Sequence, residues 1–192
     1  MTSTTTPHQR LLDAAGRLFY TQGIGAVGVD TICAAAGVSK RTLYQHFGSK
    51  DQLVAESLAA FGPAILGRYL PAADTADDDA GTAGTKITEV FRALARWTAS
   101  KEFRGCAFVN VATELADVGH PARTVARDYK LRLRQFFLDQ ATAGAADDPV
   151  CLADQLLMLF DGAITAALMR TVTGTRALTG AVATLLDAHR VN

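Results

Sequence analysis

Apolar residues recur along most of this chain at the spacing of α-helices. The first such segment has apolar positions at i, i+1, i+4, i+7 and i+8, which define one helix face: Leu11, Leu12, Ala15, Leu18 and Phe19. Similar stripes follow, separated by glycine, proline and acidic residues. The sequence has no run that alternates like paired strands and no internal repeat. The pattern therefore predicts an all-α protein.

Capping and breaking residues predict the ends of these helices. Pro7 suits the first position of a helix that Thr6 caps, and Gly62-Pro63 predicts a kink or an interruption in the fourth helix. The predicted helices cover about residues 7–22, 29–36, 39–46, 49–70, 85–100, 106–117, 122–143, 149–173 and 175–190. The acidic, glycine-containing segment 71–84 predicts a solvated loop.

The two short helices predicted over residues 29–36 and 39–46 have the lengths, and the capping and breaking residues, of a helix-turn-helix. An Ala-Gly-Val turn joins them, and such a turn needs Gly37 for a left-handed conformation or for a close approach of the backbone. Ile32, Leu43 and Phe47 are spaced to form a small core. We therefore predict an N-terminal three-helix helix-turn-helix domain over residues 1–52 and a larger C-terminal helical domain over residues 53–192.

The second short helix opens at Ser39 and carries polar side chains that this core does not use: Lys40, Arg41, Thr42, Tyr44, Gln45 and His46. Lysine and arginine neutralise phosphates, and arginine or glutamine can bond bidentately to a purine in the major groove. These residues predict a DNA-reading helix. A solvated helical hairpin without DNA-binding activity is the alternative, because short patterns of this kind also occur by chance.

The run from Ala36 to Lys50, A-G-V-S-K-x-T-L-Y-x-H-F-x-S-K, resembles the signature of the TetR family of bacterial repressors. The likeness extends over about residues 9 to 54. It implies an all-helical homodimer that binds a palindromic double-stranded DNA operator and whose C-terminal domain binds a small-molecule effector. It also implies that the effector changes the separation of the two helix-turn-helix domains, the reading heads of the dimer, and so releases the operator.

The resemblance gives roles to individual side chains. It implies backbone contacts for Ser39 and Lys40, and a phosphate contact for Lys50. Tyr44 and His46 match positions that usually meet phosphate. Packing is the alternative role for Tyr44, and a surface or core role is the alternative for His46.

Sequence selectivity falls, by the same resemblance, to Thr42 and Gln45, which match variable or semi-variable positions. Arg41 departs from the family pattern, because many relatives have a small residue there. We therefore expect Arg41 to be the principal base-reading residue.

The C-terminal helices predict a binding site for a small, mostly apolar effector. Its predicted contacts combine bulky stripes with a few embedded polar groups: Phe91, Leu94, Trp97, Cys106, Phe108, Asn110, Tyr129 and Asp161. Such stripes also form ordinary hydrophobic core, and a purely structural role is the alternative for these residues. A buried Asp161 would need a hydrogen-bond donor, which Asn110 or Arg104 could supply.

Three other features of this half bear on function. Cys106 could be a reactive thiol that senses electrophiles or a small apolar filler. The basic stripe of Arg123, Arg127, Lys130 and Arg134 could bind nucleic acid, but we interpret it as a solvated helix face. The last two helices are so apolar, for example at Leu156 and Leu185, that they predict a four-helix interface with a second copy of the chain.

Composition narrows the function further. The formal net charge is zero, so the charge of the whole molecule does not point to nucleic acid. The chain has no metal-ligand cluster, no Ser-His-Asp order and no phosphate-cradling glycine loop, so neither catalysis nor a cofactor is expected. A helical interaction protein that does not bind DNA is the other alternative.

Localisation follows from three observations. The three cysteines suggest no disulfide framework, and the N-terminus lacks the pattern of a signal peptide. The most apolar stretch, residues 152–169, contains Asp154 and Asp161, which a membrane span tolerates poorly. We expect a cytoplasmic protein without a membrane span.

Overall fold

The computed structural model describes residues 5–70, 81–172 and 175–191, and the regular secondary structure of these residues is α-helical. The helices are α1 (Pro7–Gln22), α2 (Val29–Ala36), α3 (Lys40–Phe47), α4 (Lys50–Gly67), α5 (Ala83–Thr98), α6 (Ala107–Glu114), α7 (Pro121–Ala143), α8 (Pro149–Met169) and α9 (Thr175–Ala188). The all-α prediction is confirmed. Most of the loop predicted over 71–84, and the break at residues 173–174, lie outside the described residues.

The first three helices begin and end where their capping residues predict. The Thr6 Oγ1 accepts a hydrogen bond from the Gln9 backbone N–H at 3.2 Å, and the Ser39 Oγ accepts one from Thr42 at 3.1 Å. Gly37 ends α2 in the left-handed conformation, with φ 63° and ψ 43°. Local sequence is therefore sufficient to place the elements of the helix-turn-helix.

The fourth helix does not break at Gly62-Pro63. Because Pro63 has no N–H, the Ala59 carbonyl lacks its usual helical donor, and the Tyr129 hydroxyl of α7 donates a hydrogen bond to it at 3.1 Å. Gly62 provides the space, since a Cβ there would lie 2.0 Å from the Tyr129 Cζ. The predicted interruption is wrong, since the helix continues past Pro63 and a side chain from a distant helix supplies a donor to the Ala59 carbonyl. The predicted kink stays a prediction.

The chain forms two compact units. The first contains the described residues up to Pro63 together with Cys106–Tyr129, and the second contains Ala64–Gly105 and the residues from Lys130 onward. The division falls inside α4 and inside α7. The first unit thus includes α6 and the start of α7 as well as the helix-turn-helix. The predicted domain boundary at residue 52 stays a prediction.

Three phenylalanines from α5, α7 and α8 form the centre of the second unit. Phe91, Phe137 and Phe160 are buried, and the Phe91 ring stacks on Phe137 with centroids 5.7 Å apart. Leu156 on α8 is fully buried in the same unit. The Leu156 side chain packs in the core of its own chain, so the prediction that it belongs to a dimer interface is wrong.

The basic stripe on α7 is not simply a solvated face. Arg134 Nε donates to Asp154 Oδ1 of α8 at 2.6 Å, and Lys130 pairs with Asp161, about two helical turns further along α8. The hydrogen bond from Arg134 lowers the pKa of the Asp154 carboxyl. Paired charges on facing helices were not visible in the spacing of either helix alone, and this interpretation of the stripe is corrected.

The α8 helix is long and apolar enough to span a membrane by length and composition alone. It has 21 residues and a mean hydropathy of 1.5 over its most apolar window, of which 28 % is buried. No other helix in the described ranges meets these criteria. Core helices of soluble proteins meet the same criteria.

Candidate nucleic-acid interface

Two apolar side chains fix the orientation of α3. Leu43 and Phe47, one helical turn apart, are buried together with Ile32 of α2, as the sequence predicted. Because i and i+4 share one face of a helix, the remaining positions of α3 face away from this core. The small core therefore decides which side chains can reach a ligand.

The outward face of α3 and its cap Ser39 contain the predicted DNA-contacting residues other than Lys50, which begins α4. Lys40, Arg41 and Gln45 are exposed, and Thr42 is half-buried beside Ser39. The Tyr44 ring is 48 % exposed, so about half of it is accessible to a ligand, and its phosphate contact stays a prediction. This face combines cations, amide and hydroxyl groups, which are the side chains that contact phosphates and base edges.

Lys40 at the start of α3 has an ion-pair partner that the sequence did not reveal. Its Nζ lies 2.8 Å from the Asp30 Oδ1 in the first turn of α2, and both side chains are exposed. The hydrogen bond that the Lys40 ammonium donates to the Asp30 carboxylate raises the pKa of Lys40. Lys40 thus stays charged, and Asp30 competes with phosphate for it.

His46 lies in an aromatic cluster at the end of α3. Its ring meets the edge of His8 with centroids 5.6 Å apart, and His8 stacks on Phe47 at 4.8 Å. His8 Nε2 is also 3.6 Å from Glu56 Oε2. The exposed His46 thus packs against His8 on the surface, and its phosphate contact stays a prediction. The α1 helix contributes His8, a residue that sequence reasoning missed.

Lys50 at the start of α4 has a structural partner. Its Nζ donates a hydrogen bond to the Ile24 carbonyl at 2.8 Å and lies 5.9 Å from the centroid of the Phe19 ring. An ammonium group has three donors, so this bond leaves donors for a phosphate. The local sequence pattern contained no signal for this contact, because the partners are 26 positions apart.

The predicted effector-binding residues fall into both units. In the second unit, Phe91 and Leu94 are fully buried and belong to the core. Trp97 is half-buried, with the Arg68 guanidinium 4.1 Å above its ring and Phe103 against its edge. Of these three residues, Trp97 is the one that a ligand reaches with least rearrangement.

Asp161, the predicted polar effector contact in the second unit, pairs with Lys130. Asp161 is half-buried rather than buried, and the donor that it meets is the Lys130 ammonium, which the sequence did not predict. The Lys130 ammonium also lies 5.4 Å from the centroid of the Phe160 ring. The charge of Asp161 is thus compensated within α7 and α8.

The remaining predicted effector contacts lie in the first unit. The Phe108 and Tyr129 rings stack almost in parallel, with centroids 4.9 Å apart and an interplanar angle of 10°. Cys106 is half-buried at the N-cap of α6, and Asn110 is half-buried one turn further along. The structure brings Phe108 and Tyr129 together, as a stack that reaches the backbone of α4 through the Tyr129 hydroxyl.

Comparison with known proteins identifies the family. The family model described as bacterial regulatory proteins, tetR family, matches residues 11–57, which include most of α1, all of α2 and α3, and the first half of α4. The transcriptional repressor KstR2 of Rhodococcus jostii is 34 % identical over 84 residues. That match spans 44 % of this chain and 41 % of the repressor, so the chain matches less than half the length of this relative.

Solved structures extend the likeness beyond the helix-turn-helix. A protein of Streptomyces avermitilis assigned as a TetR transcriptional regulator is 40 % identical, with a TM-score of 0.91 over 98 % of this chain and 100 % of that chain. A cysteine mutant of the TetR-family regulator CifR, complexed with 26-base-pair operator DNA, has a TM-score of 0.73 at 23 % identity, over 98 % and 99 % of the two chains, and this likeness shows the fold alone. Proteins of this family are transcriptional regulators and not enzymes. The chain belongs to the TetR family of bacterial transcriptional regulators.

Proposed function

We propose that this protein is a cytoplasmic repressor that binds a palindromic DNA operator as a homodimer and is released by a small, mostly apolar effector, without acting at a membrane. The match to a protein named as a repressor supports repression, and the operator complex of CifR supports the mode of DNA binding. The observation that carries the proposal is the outward polar face of α3, from Ser39 to His46.

Two substitutions on this face separate phosphate contact from base reading. Lys40→Ala removes a cation that has no base-specific geometry, so it should weaken binding to all duplexes and reduce the salt slope by about one. Arg41→Ala should cost about 1–3 kcal/mol on the selected operator and relax discrimination at one base position. Fluorescence anisotropy at several salt concentrations measures both effects.

The DNA probe is the duplex that the wild-type protein selects from a random-sequence library, with an unselected duplex as the non-specific reference. Arg127→Ala is the matched control, because it removes an exposed cation from α7 and should leave both affinities nearly unchanged. Equal losses on the two duplexes for Arg41→Ala would refute its base-reading role. Failure of the wild-type protein to select any duplex would refute the proposed function.

An exposed face of α8 supports the homodimer. Met158, Gly162, Thr165 and Met169 are exposed at i, i+4, i+7 and i+11, and Met158 is 65 % exposed. This spacing places them on one side of the helix. A Cβ on Gly162 would meet no atom within 4 Å, so a second helix could approach closely at this point.

Charge on this face should therefore give monomers. Met158→Arg combined with Met169→Arg should shift the sedimentation coefficient from dimer to monomer and weaken operator binding, because two linked heads bind with avidity. Val118→Arg is the control, since Val118 is an exposed apolar residue outside the C-terminal helices. A wild-type protein that sediments as a monomer while binding the palindrome tightly would contradict the proposal.

Trp97 is the reporter for the effector, because the chain has a single tryptophan. The predicted contacts stay those named from the sequence, and the Arg68 guanidinium above the Trp97 ring makes its emission sensitive to displacement. Titration with hydrophobic compounds should shift Trp97 emission and release the operator at the same concentrations. Emission changes with constant DNA affinity would indicate binding without a switch.

A further inference from the structure

The turn between α1 and α2 is held by two charged side chains from distant helices. The Glu114 Oε2 accepts hydrogen bonds from the backbone N–H groups of Ile24, at 2.6 Å, and Gly25, at 3.4 Å. The Lys50 Nζ donates to the Ile24 carbonyl at 2.8 Å. Both polar groups of the Ile24 backbone are thus bonded to charged side chains, which form the stronger class of hydrogen bonds.

This turn needs such support because its own sequence provides little. It contains Gly23, Gly25 and Gly28, and glycine has the largest conformational freedom of any residue. Gly23 has φ +90°, and a Cβ at that position would lie 3.1 Å from Glu114 Oε2. The turn leads directly into α2, so its conformation sets where the helix-turn-helix begins.

A negative charge is unfavourable at the position that Glu114 takes in α6. Glu114 is the last residue of α6, where the helix dipole disfavours a negative charge. The neighbouring end of α6 is anchored by Arg123, whose Nη1 donates to the Ala112 and Leu115 carbonyls at 2.7 Å each. The anchored helix end holds the carboxylate against the turn, 90 positions away from Ile24 in sequence.

We infer that Glu114 is a positioning residue for DNA binding: its carboxylate fixes the turn between α1 and α2 and so connects α6 to the reading head. This inference rests on the proposed function. The first turn of α6 carries Phe108, a predicted effector contact, and its last residue carries the carboxylate. A shift of α6 would therefore reach the helix-turn-helix through Glu114.

The test compares Glu114→Ala with Glu114→Gln, using the selected duplex and the unselected reference. Glutamine keeps an oxygen that accepts the Ile24 hydrogen bond but has no charge. We expect Glu114→Ala to bind the selected duplex roughly ten-fold more weakly, and Glu114→Gln, which keeps the acceptor but loses the charge, to fall between Glu114→Ala and the wild-type protein.

Electrostatic repulsion between Glu114 and the DNA is the alternative explanation, and it predicts the opposite change in DNA affinity. If Glu114 acted only by repelling phosphates, both substitutions would strengthen DNA binding and steepen its salt dependence. Asp128→Ala is the control for charge, since it removes an exposed carboxylate from α7 in the same unit. Tighter or unchanged binding by Glu114→Ala would overturn the inference.

Amide hydrogen exchange tests, without DNA, whether the Glu114 carboxylate holds the turn between α1 and α2. The Ile24 and Gly25 amides should exchange much faster in Glu114→Ala than in the wild-type protein or Glu114→Gln, while amides in the middle of α1 keep their protection and show that the variant is folded. Equal exchange rates of the two turn amides in all three proteins would overturn the inference that Glu114 fixes this turn. A wild-type protein that binds no duplex would instead refute the proposed function, and the exchange result would remain interpretable.

Discussion

The Tyr129 hydroxyl replaces a backbone donor that α4 lacks at Pro63, so its removal should have a measurable cost. Tyr129→Phe keeps the ring stacked on Phe108 and removes only the group that donates to the Ala59 carbonyl. A net hydrogen bond contributes about 0.5–1.5 kcal/mol, and a buried acceptor left without a donor costs about 1–3 kcal/mol. Tyr129 is only 6 % exposed, but Ala59 is exposed, so water reaches part of this carbonyl. We expect the lower end of these ranges, about 1 kcal/mol.

A double-mutant cycle tests this explanation directly. Pro63→Ala restores an N–H at position 63 that can bond to the Ala59 carbonyl in the usual helical pattern. Tyr129→Phe should therefore cost clearly less in the Pro63→Ala background than in the wild-type protein, which gives a coupling energy between the two sites.

Urea unfolding followed by circular dichroism measures the four free energies. All four proteins must be compared at one concentration, because the proposed dimerisation would make apparent stability depend on concentration. An equal cost of Tyr129→Phe in both backgrounds would refute the proposed replacement of the backbone donor. A negligible cost in the wild-type background would show that water satisfies the Ala59 carbonyl by itself.

Three further predictions use the same unfolding assay. Gly62→Ala should destabilise the protein by about 1–3 kcal/mol, because its Cβ would overlap the Tyr129 ring, whereas Gly67→Ala in the same helix meets no atom and should be neutral or stabilising. Ser39→Ala should cost about 1 kcal/mol, through loss of the α3 cap, and a cost below the error of the measurement would contradict that role. The Arg134 hydrogen bond lowers the folded-state pKa of Asp154, so its stabilisation is present above the unfolded pKa and lost as pH falls through the folded value. Asp154→Asn should therefore destabilise at neutral pH and lose this effect in acid, and a pH-independent difference would refute the assignment.

The sequence by itself was sufficient for the features that depend on neighbouring residues. Thr6, Ser39 and Gly37 act on backbone groups within a few positions, so their capping roles are visible in the order of the residues. The i, i+4 spacing of Leu43 and Phe47 places both in the core of the helix-turn-helix. This placement leaves the DNA-reading candidates on the opposite face.

Only the tertiary structure decided the features that join distant segments. The Ala59 carbonyl of α4 accepts a hydrogen bond from the Tyr129 hydroxyl on α7, and the donor to Asp161 is Lys130 on another helix. Glu114 reaches the turn before α2 across 90 positions of sequence. Spacing within one helix shows which face a residue occupies but not which side chain of another helix will meet it. Such partners are decided when the helices pack, because a polar group that packing removes from water needs a hydrogen-bonding partner to offset its desolvation.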